Sequence, residues 1–194
     1  MPTEVMRYLK STRTEGIIYT AEADGEIVLR AYSDASWVDD RTNGRSTSGM
    51  LITLLGGPIS WTSRQQPVVA LSTAEAEFIA ANEAGREVIW LRTLLAELNC
   101  PQHNPTELMV DNLSAVKMSN RKDAGKSDMR KHILAKYYWL REQVNTGTIA
   151  VTWLPTGQEL ADIFTKPLGP QLFNEFKPVI MGTAYDNPHF ILKQ

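Results

Sequence analysis

Three β-prone segments separated by short turns, followed by alternating helical and strand patterns, leave few architectures open to this chain. Ile27–Trp37 (IVLRAYSDASW) is rich in strand formers. Thr47–Leu55 follows, and Gly56, Gly57 and Pro58 turn the chain into Ile59–Ser63, a hairpin pattern. Apolar residues at spacings of three and four then predict a long helix over Thr73–Leu98, capped by Ser72 or Thr73. Beyond it come a short strand at Glu107–Asp111, a helix over Ser114–Asn120, and a helix over Asp128–Val144 stopped by Gly147. A strand at Ile149–Leu154 and a last helix over Gln158–Lys166 complete the pattern before Pro167. Hairpin-linked strands followed by alternating strands and helices predict an α/β fold, a mixed five-stranded sheet flanked by helices. One domain over 23–170 accommodates these elements, with 1–22 and 171–194 as extensions. The tail shows helical character around Leu172–Phe176.

Several function classes fall away on simple grounds. No apolar run approaches the roughly 18 residues that a membrane span needs. The start, MPTEVMRYLKSTRTEG, lacks the apolar core of a signal peptide. The single cysteine, Cys100, cannot pair within the chain, and no Cys/His cluster suggests zinc. An intracellular, cytoplasmic protein without a membrane partner is expected. Net charge is −2, but between Arg121 and Arg141 seven basic residues stand against only Asp123 and Asp128. That segment, with Arg130 and Lys131 at its centre, reads either as a phosphate footprint or as a solvated helix face.

The chemical signal is a set of carboxylates inside apolar elements. Asp34 lies near the end of the first strand and Asp111 ends the fourth. A strand covered on both faces normally carries aliphatic residues there, because an unpaired buried charge costs several kcal/mol; a turn or capping role is the plainer alternative for Asp111. On the long helix, Leu98, Leu95, Leu91, Val88, Ala84, Ala81 and Ala80 define one stripe, and continuing it backwards lands on Glu77. Glu75 lies about 200° around the helix, in line with Ile79, Asn82 and Arg86, so Glu77 is the glutamate expected to face the sheet. Asp162, in ELADIFTKPL, is a fourth candidate. Four carboxylates converging at one end of a sheet would repel one another unless cations lay among them, and oxygen ligands favour Mg²⁺ or Mn²⁺ over zinc.

Around these residues run YSDASW (32–37), RSTSGMLITLLGGPISWTSRQQPVVALSTAEAEFIA (45–80), VDNLSAV (110–116), RKHI (130–133) and WLPTGQELADIFTKPL (153–168). In these stretches, over about residues 23–170, the sequence resembles the ribonuclease H domain of copia-type long-terminal-repeat retrotransposon polyproteins. RYLKSTRTEGIIY (7–19) is similar to the family's link from polymerase to ribonuclease H. The resemblance implies the ribonuclease H-like fold, whose second strand runs antiparallel to its neighbours. It implies a quartet of metal-binding catalytic residues at Asp34, Glu77, Asp111 and Asp162, and two-metal-ion hydrolysis with two Mg²⁺, for which Mn²⁺ can substitute. The implied substrate is the RNA strand of an RNA–DNA hybrid, cut during reverse transcription, with the reverse transcriptase domain of the same polyprotein as neighbour. The implied setting is a cytoplasmic virus-like particle.

Ser36, Ser72, Thr73 and Asn112 stand beside these carboxylates and are candidates for contacts to the substrate's 2′-hydroxyls; each also reads as a cap or turn residue. Cellular ribonucleases H carry a histidine in the loop before the final catalytic Asp. Here that connection is PTGQELA (155–161), and the three histidines, His103, His132 and His189, lie elsewhere. Slower turnover or a substitute group is the expected consequence. WVDD (37–40) matches a polymerase string without a palm domain around it. PTGQELAD lacks the Gly-Lys-Ser/Thr ending of a phosphate loop. Two rival readings remain: a hybrid-binding fragment with little activity of its own, and a nuclease of the same fold acting on DNA.

Overall fold

A computed structural model describes residues 2–20, 26–40, 42–120 and 131–183, without the side chains of 2 and 131–137. Its centre is a five-stranded sheet of β1 (Leu29–Asp40), β2 (Arg45–Leu54), β3 (Gly57–Gln65), β4 (Thr106–Val110) and β5 (Ile149–Trp153), in the order β3-β2-β1-β4-β5. β2 runs antiparallel to both β1 and β3, whereas β1–β4 and β4–β5 pair in parallel, the mixed sheet the element order predicts. The β2–β3 loop is the two residues Leu55 and Gly56, both at positive φ (52° and 72°), the mirror-image turn whose twist matches a tight hairpin. β1 runs three residues past its expected end. A bulge with Val38 at φ 52° lies between Ser36 and Asp40, and Asp40 then caps the turn through Thr42, Asn43 and Gln65.

Alternation along β2 separates the two faces of the sheet. Met50 and Ile52 pack, with Leu29, Ala31, Leu108, Val110 and Val151, against α2 (Thr73–Glu97), α3 (Leu113–Asn120) and α4 (Lys131–Asn145). Leu51 points the other way, into a smaller core with Leu160, Phe176 and Ile180, against which Tyr32 packs. Phe176 and Ile180 belong to α5 (Pro170–Ile180), which begins with Pro at its first position. The N-terminal helix α1 (Pro2–Ser11) and the segment after it meet α5 and the residue that follows it. Tyr8 stacks edge-on against Phe173, Lys177 pairs with Glu15 at 2.6 Å, and the Ile18 N–H donates to the Met181 carbonyl. Arg92 on α2 secures the crossover to β4 by donating to the carbonyls of Gln102 and Asn104 and to Thr106 Oγ1.

Several expectations shift. Leu98, expected on the buried stripe of α2, is 62% exposed and serves as its C-cap. Ile79 and Asn82, expected on the outer face with Glu75, are both buried; Ile79 packs against Val68 and Ala70 of the preceding loop. Arg141, counted with the basic segment, is only 5% exposed within α4. The last helix expected over Gln158–Lys166 is two short 3₁₀ turns, Thr156–Gln158 and Leu160–Phe164. Among the described residues, no helix is long and apolar enough to cross a membrane.

Candidate metal centre

Parallel pairing sets Ser33, in the middle of β1, opposite Val110, the last residue of β4, so that the next residue on each is an aspartate. Asp34, 2% exposed, points to the face of Tyr32, where the connection after β5 crosses the sheet. That connection carries Asp162. Carboxylate oxygens of Asp34, Asp111 and Asp162 all lie within 4.8 Å of one another. Three elements far apart in sequence thus deliver three acids to one point.

Glu77 stands outside that trio because α2 covers the opposite face of the sheet. Its side chain is buried, 6% exposed, and reaches the strand edge, where its carboxyl accepts the Ala35 N–H and feels the charges of Asp34 and Asp111. Its second oxygen has no hydrogen-bond partner. The choice between the two glutamates follows from the start of the helix. Ser72 is the N-cap, accepting the Glu75 N–H at 3.2 Å, and Glu75 turns back to accept the Leu71 N–H at 2.8 Å. This reciprocal capping occupies Glu75 outside the site and leaves Glu77 on the inward stripe.

Burial dominates the electrostatics. It raises the Glu77 carboxyl to about 10, with the charges of Asp34 and Asp111 adding to the rise. Burial likewise raises Asp162 to about 7, opposed by its hydrogen bond with Lys166, and raises Asp111, with Asp34 adding to the shift. These are carboxylates kept in a poor solvent with like charges around them, and a cation is the partner that resolves both penalties.

Four residues of the site were not anticipated, and all lie on the connection after β5. Thr156 hydrogen-bonds the Asp111 side chain. Glu159 is fully buried: one oxygen accepts the Ala161 N–H at 3.0 Å, the other has no hydrogen-bond partner, and burial drives its pKa well up. The Thr165 hydroxyl donates to Asp34 Oδ2. Lys166 Nζ lies 2.8 Å from Asp162 Oδ1 and 3.8 Å from Asp34 Oδ2. The signal was present as a period of three: Thr156, Glu159, Asp162 and Thr165 recur at the repeat of a 3₁₀ turn, in which residues i and i+3 eclipse.

The approach of this segment depends on Gly49, which pairs with Asp34 across β1 and β2. A Cβ there would lie 2.6 Å from Thr165 Cγ2, 2.8 Å from the Ala161 carbonyl oxygen and 3.1 Å from Phe164 Cβ. Only a residue without a side chain lets the 3₁₀ turns rest on the sheet.

The remaining sequence candidates divide. Ser36 is half-buried on β1, two residues beyond Asp34 and opposite Thr47. Ser72 and Asn112 are helix caps, the latter accepting the N–H groups of Ser114 and Ala115, and Thr73 is an exposed first residue of α2. Arg130 lies outside the described residues, and Lys131 begins α4 with its side chain outside them.

Comparison with known proteins accords with this architecture. No family model matches the chain. It is 36% identical over 176 residues to the retrovirus-related Pol polyprotein from transposon TNT 1-94 of Nicotiana tabacum, covering 91% of this chain and 13% of that protein. It is 35% identical over 184 residues to the corresponding polyprotein from transposon RE1 of Arabidopsis thaliana, covering 91% of this chain and 12% of that protein. The chain therefore spans about an eighth of the length of these relatives. Among solved structures, a ribonuclease H1 isolated from compost by a metagenomic approach superposes with a TM-score of 0.51 at 18% identity, covering 71% of this chain and 92% of that one. Homology along most of its length, together with this fold, places the chain among the Pol polyproteins of copia-type retrotransposons, as a segment with the ribonuclease H fold.

Proposed function

We propose that this chain is a divalent-metal-dependent endonuclease that hydrolyses the RNA strand of RNA–DNA hybrids during reverse transcription by a retrotransposon polyprotein. The observation that carries the proposal is the convergence of Asp34, Asp111 and Asp162 within 4.8 Å, with the unpartnered oxygen of Glu77 buried beside them. The donor set fits the ions: oxygen ligands only, no histidine or cysteine in the group, and Asp111 half-exposed, so that waters can complete a shell. Asp34, Glu77, Asp111 and Asp162 would hold two Mg²⁺ or Mn²⁺ ions. Such ions, when bound, supply Lewis acidity and a water that is nucleophilic at neutral pH.

The protein's own part is to hold its acids in place before substrate arrives. Thr165 and Thr156 fix Asp34 and Asp111 by hydrogen bonds, and the Trp153 indole N–H secures the backbone of Asp111 at its carbonyl, 3.2 Å away. Prepositioned ligands of this kind shorten the rearrangement needed at the moment of reaction. For recognition, capping uses the lone pairs of Ser72 Oγ and Asn112 Oδ1 and leaves the Ser72 O–H and the Asn112 Nδ2 as donors to a ribose edge. Ser36 and Thr73 are assigned further hydroxyl contacts to the RNA strand, and Arg130 and Lys131 are assigned to phosphates. Residues 23–170 would form the nuclease unit, 1–22 the link from the reverse transcriptase domain, and 171–194 an extension. The setting is a cytoplasmic virus-like particle.

The test is incubation of the purified chain with labelled RNA–DNA hybrid, duplex DNA and duplex RNA, each with Mg²⁺ and with chelator. Metal-dependent cutting of the hybrid's RNA strand alone is the expected result. Cutting of duplex DNA instead would assign the site to a DNA nuclease, and hybrid binding without any cutting would make the chain a binding module.

A further inference from the structure

Lys166 is the one cation that the structure places against the carboxylate trio among the described residues. Its Nζ is 2.8 Å from Asp162 Oδ1 and 3.8 Å from Asp34 Oδ2, and the charge of Asp111 acts on it as well. It also faces Glu77, which feels its charge. The ammonium therefore lies where positive charge is most needed, between two acids that come from different elements. Its side chain is 41% exposed, unlike those of Asp34 and Asp162, which are 3% and 2% exposed. One end of the ion pair is rigid and buried, and the other is a flexible four-carbon stem open to water.

The backbone supports the same division of labour. The Lys166 N–H donates to the Asp162 carbonyl at 3.1 Å, so its Cα is tied to the turn that carries Asp162. The side chain can leave without moving the ligands. A divalent ion seated between Asp34 and Asp162 would compete with the ammonium for the same oxygens, since both are satisfied by the same lone pairs.

We propose that the Lys166 ammonium occupies a cation position between Asp34 and Asp162, so that metal loading is an exchange in which the divalent ion displaces an internal cation. The inference rests on the metal-centre reading above. In the metal-free protein Lys166 offsets repulsion among the acids and keeps them in their loaded arrangement. In the loaded protein its side chain swings to solvent. The device lowers metal affinity in return for a site that does not spring apart when empty.

Removing the Lys166 charge should act in opposite directions on metal affinity and on metal-free stability. Lys166→Met keeps the stem and removes the charge. It should bind Mn²⁺ about tenfold more tightly than wild type, the order of one charge-assisted contact that the ion no longer has to displace. It should also melt at a lower temperature in chelator, with a larger rise in Tm on adding Mn²⁺. Lys166→Arg, which keeps the charge, should show no gain in affinity.

Binding is measured by calorimetry and by the loss of the free Mn²⁺ electron paramagnetic resonance signal, with circular dichroism confirming the fold of each variant. Lys166→Gln provides a second neutral variant if the Met variant does not fold. Tighter binding by the neutral variant, including binding where wild type shows none, supports the exchange. Equal or weaker binding overturns it and leaves the metal centre standing. If no variant binds Mn²⁺, the metal-centre reading fails and the exchange fails with it.

Discussion

Gly49→Ala is the smallest change that tests how the site is assembled. A methyl group at this position would stand 2.6 Å from Thr165 Cγ2 and 2.8 Å from the Ala161 carbonyl oxygen, on opposite sides of Asp162. Carbon–carbon contacts become comfortable at about 3.5 Å, so the segment must retreat by roughly 0.9 Å at Thr165. Neither neighbour is the far end of a flexible side chain: one is backbone, and the other belongs to the residue whose hydroxyl holds Asp34. Overpacking of this kind costs about 1–3 kcal/mol, and Tm should fall by about 2–4 °C per kcal/mol in a chain of this size. The functional loss should be disproportionate. A displacement near 1 Å of one ligand relative to the others costs about 10²-fold in rate. Hybrid cleavage in Mg²⁺, Mn²⁺ affinity and melting are the three measurements. The double variant Gly49→Ala/Thr165→Ser removes the Cγ2 contact, keeps the hydroxyl for Asp34, and should recover part of the loss. Wild-type cleavage and metal affinity in Gly49→Ala would refute the claim that this close approach seats Asp162.

Asp111→Asn should abolish cleavage, leave the fold intact by circular dichroism, and hold or raise Tm in chelator by removing one of the mutually repelling charges; a large drop in Tm there would make Asp111 a structural residue. Metal-free stability should fall as pH rises, because burial raises Asp162 to about 7 and Glu77 to about 10, so both bind protons more tightly folded than unfolded. That contribution is fully present below their unfolded values near pH 4 and is lost as pH climbs through 7 toward 10. Melting in chelator from about pH 5 to about pH 8 should therefore show a declining Tm, with a smaller decline in saturating Mg²⁺; a rise in chelator across that range would contradict the burial argument. Arg130→Ala with Lys131→Ala should weaken hybrid binding in Ca²⁺ and flatten its salt dependence by about one to two units of slope. Identical slopes for variant and wild type would leave these residues as a solvated face.

Much of the candidate site was legible in local pattern. The period of α2 singled out Glu77 over Glu75, and the structure supplies the reason in the Ser72–Glu75 capping pair. The polar ends of two apolar strands marked Asp34 and Asp111, and hairpin spacing followed by alternation predicted the sheet. These features are local because a strand or helix repeats its environment every two or about 3.6 residues, and sequence records that repeat directly. The threes of Thr156, Glu159, Asp162 and Thr165 are as regular, yet read as an α-helix, because a short run does not distinguish 3.0 from 3.6 residues per turn.

Residue order and local period therefore set which face of each element carries an acid and in what order the elements occur. Folding alone brings Asp34 to Thr165, 131 positions away, closes the gap from Lys166 to Asp162, and lets Glu77 approach from the other side of the sheet. It also decided that Leu98 is exposed and Arg141 buried, against the pattern of their own helices. The difference is one of range. Periodicity reports the polarity of one surface, whereas the distance between two carboxylates depends on strand register, the order of strands in the sheet, and the single missing side chain at Gly49 that lets another layer descend onto it.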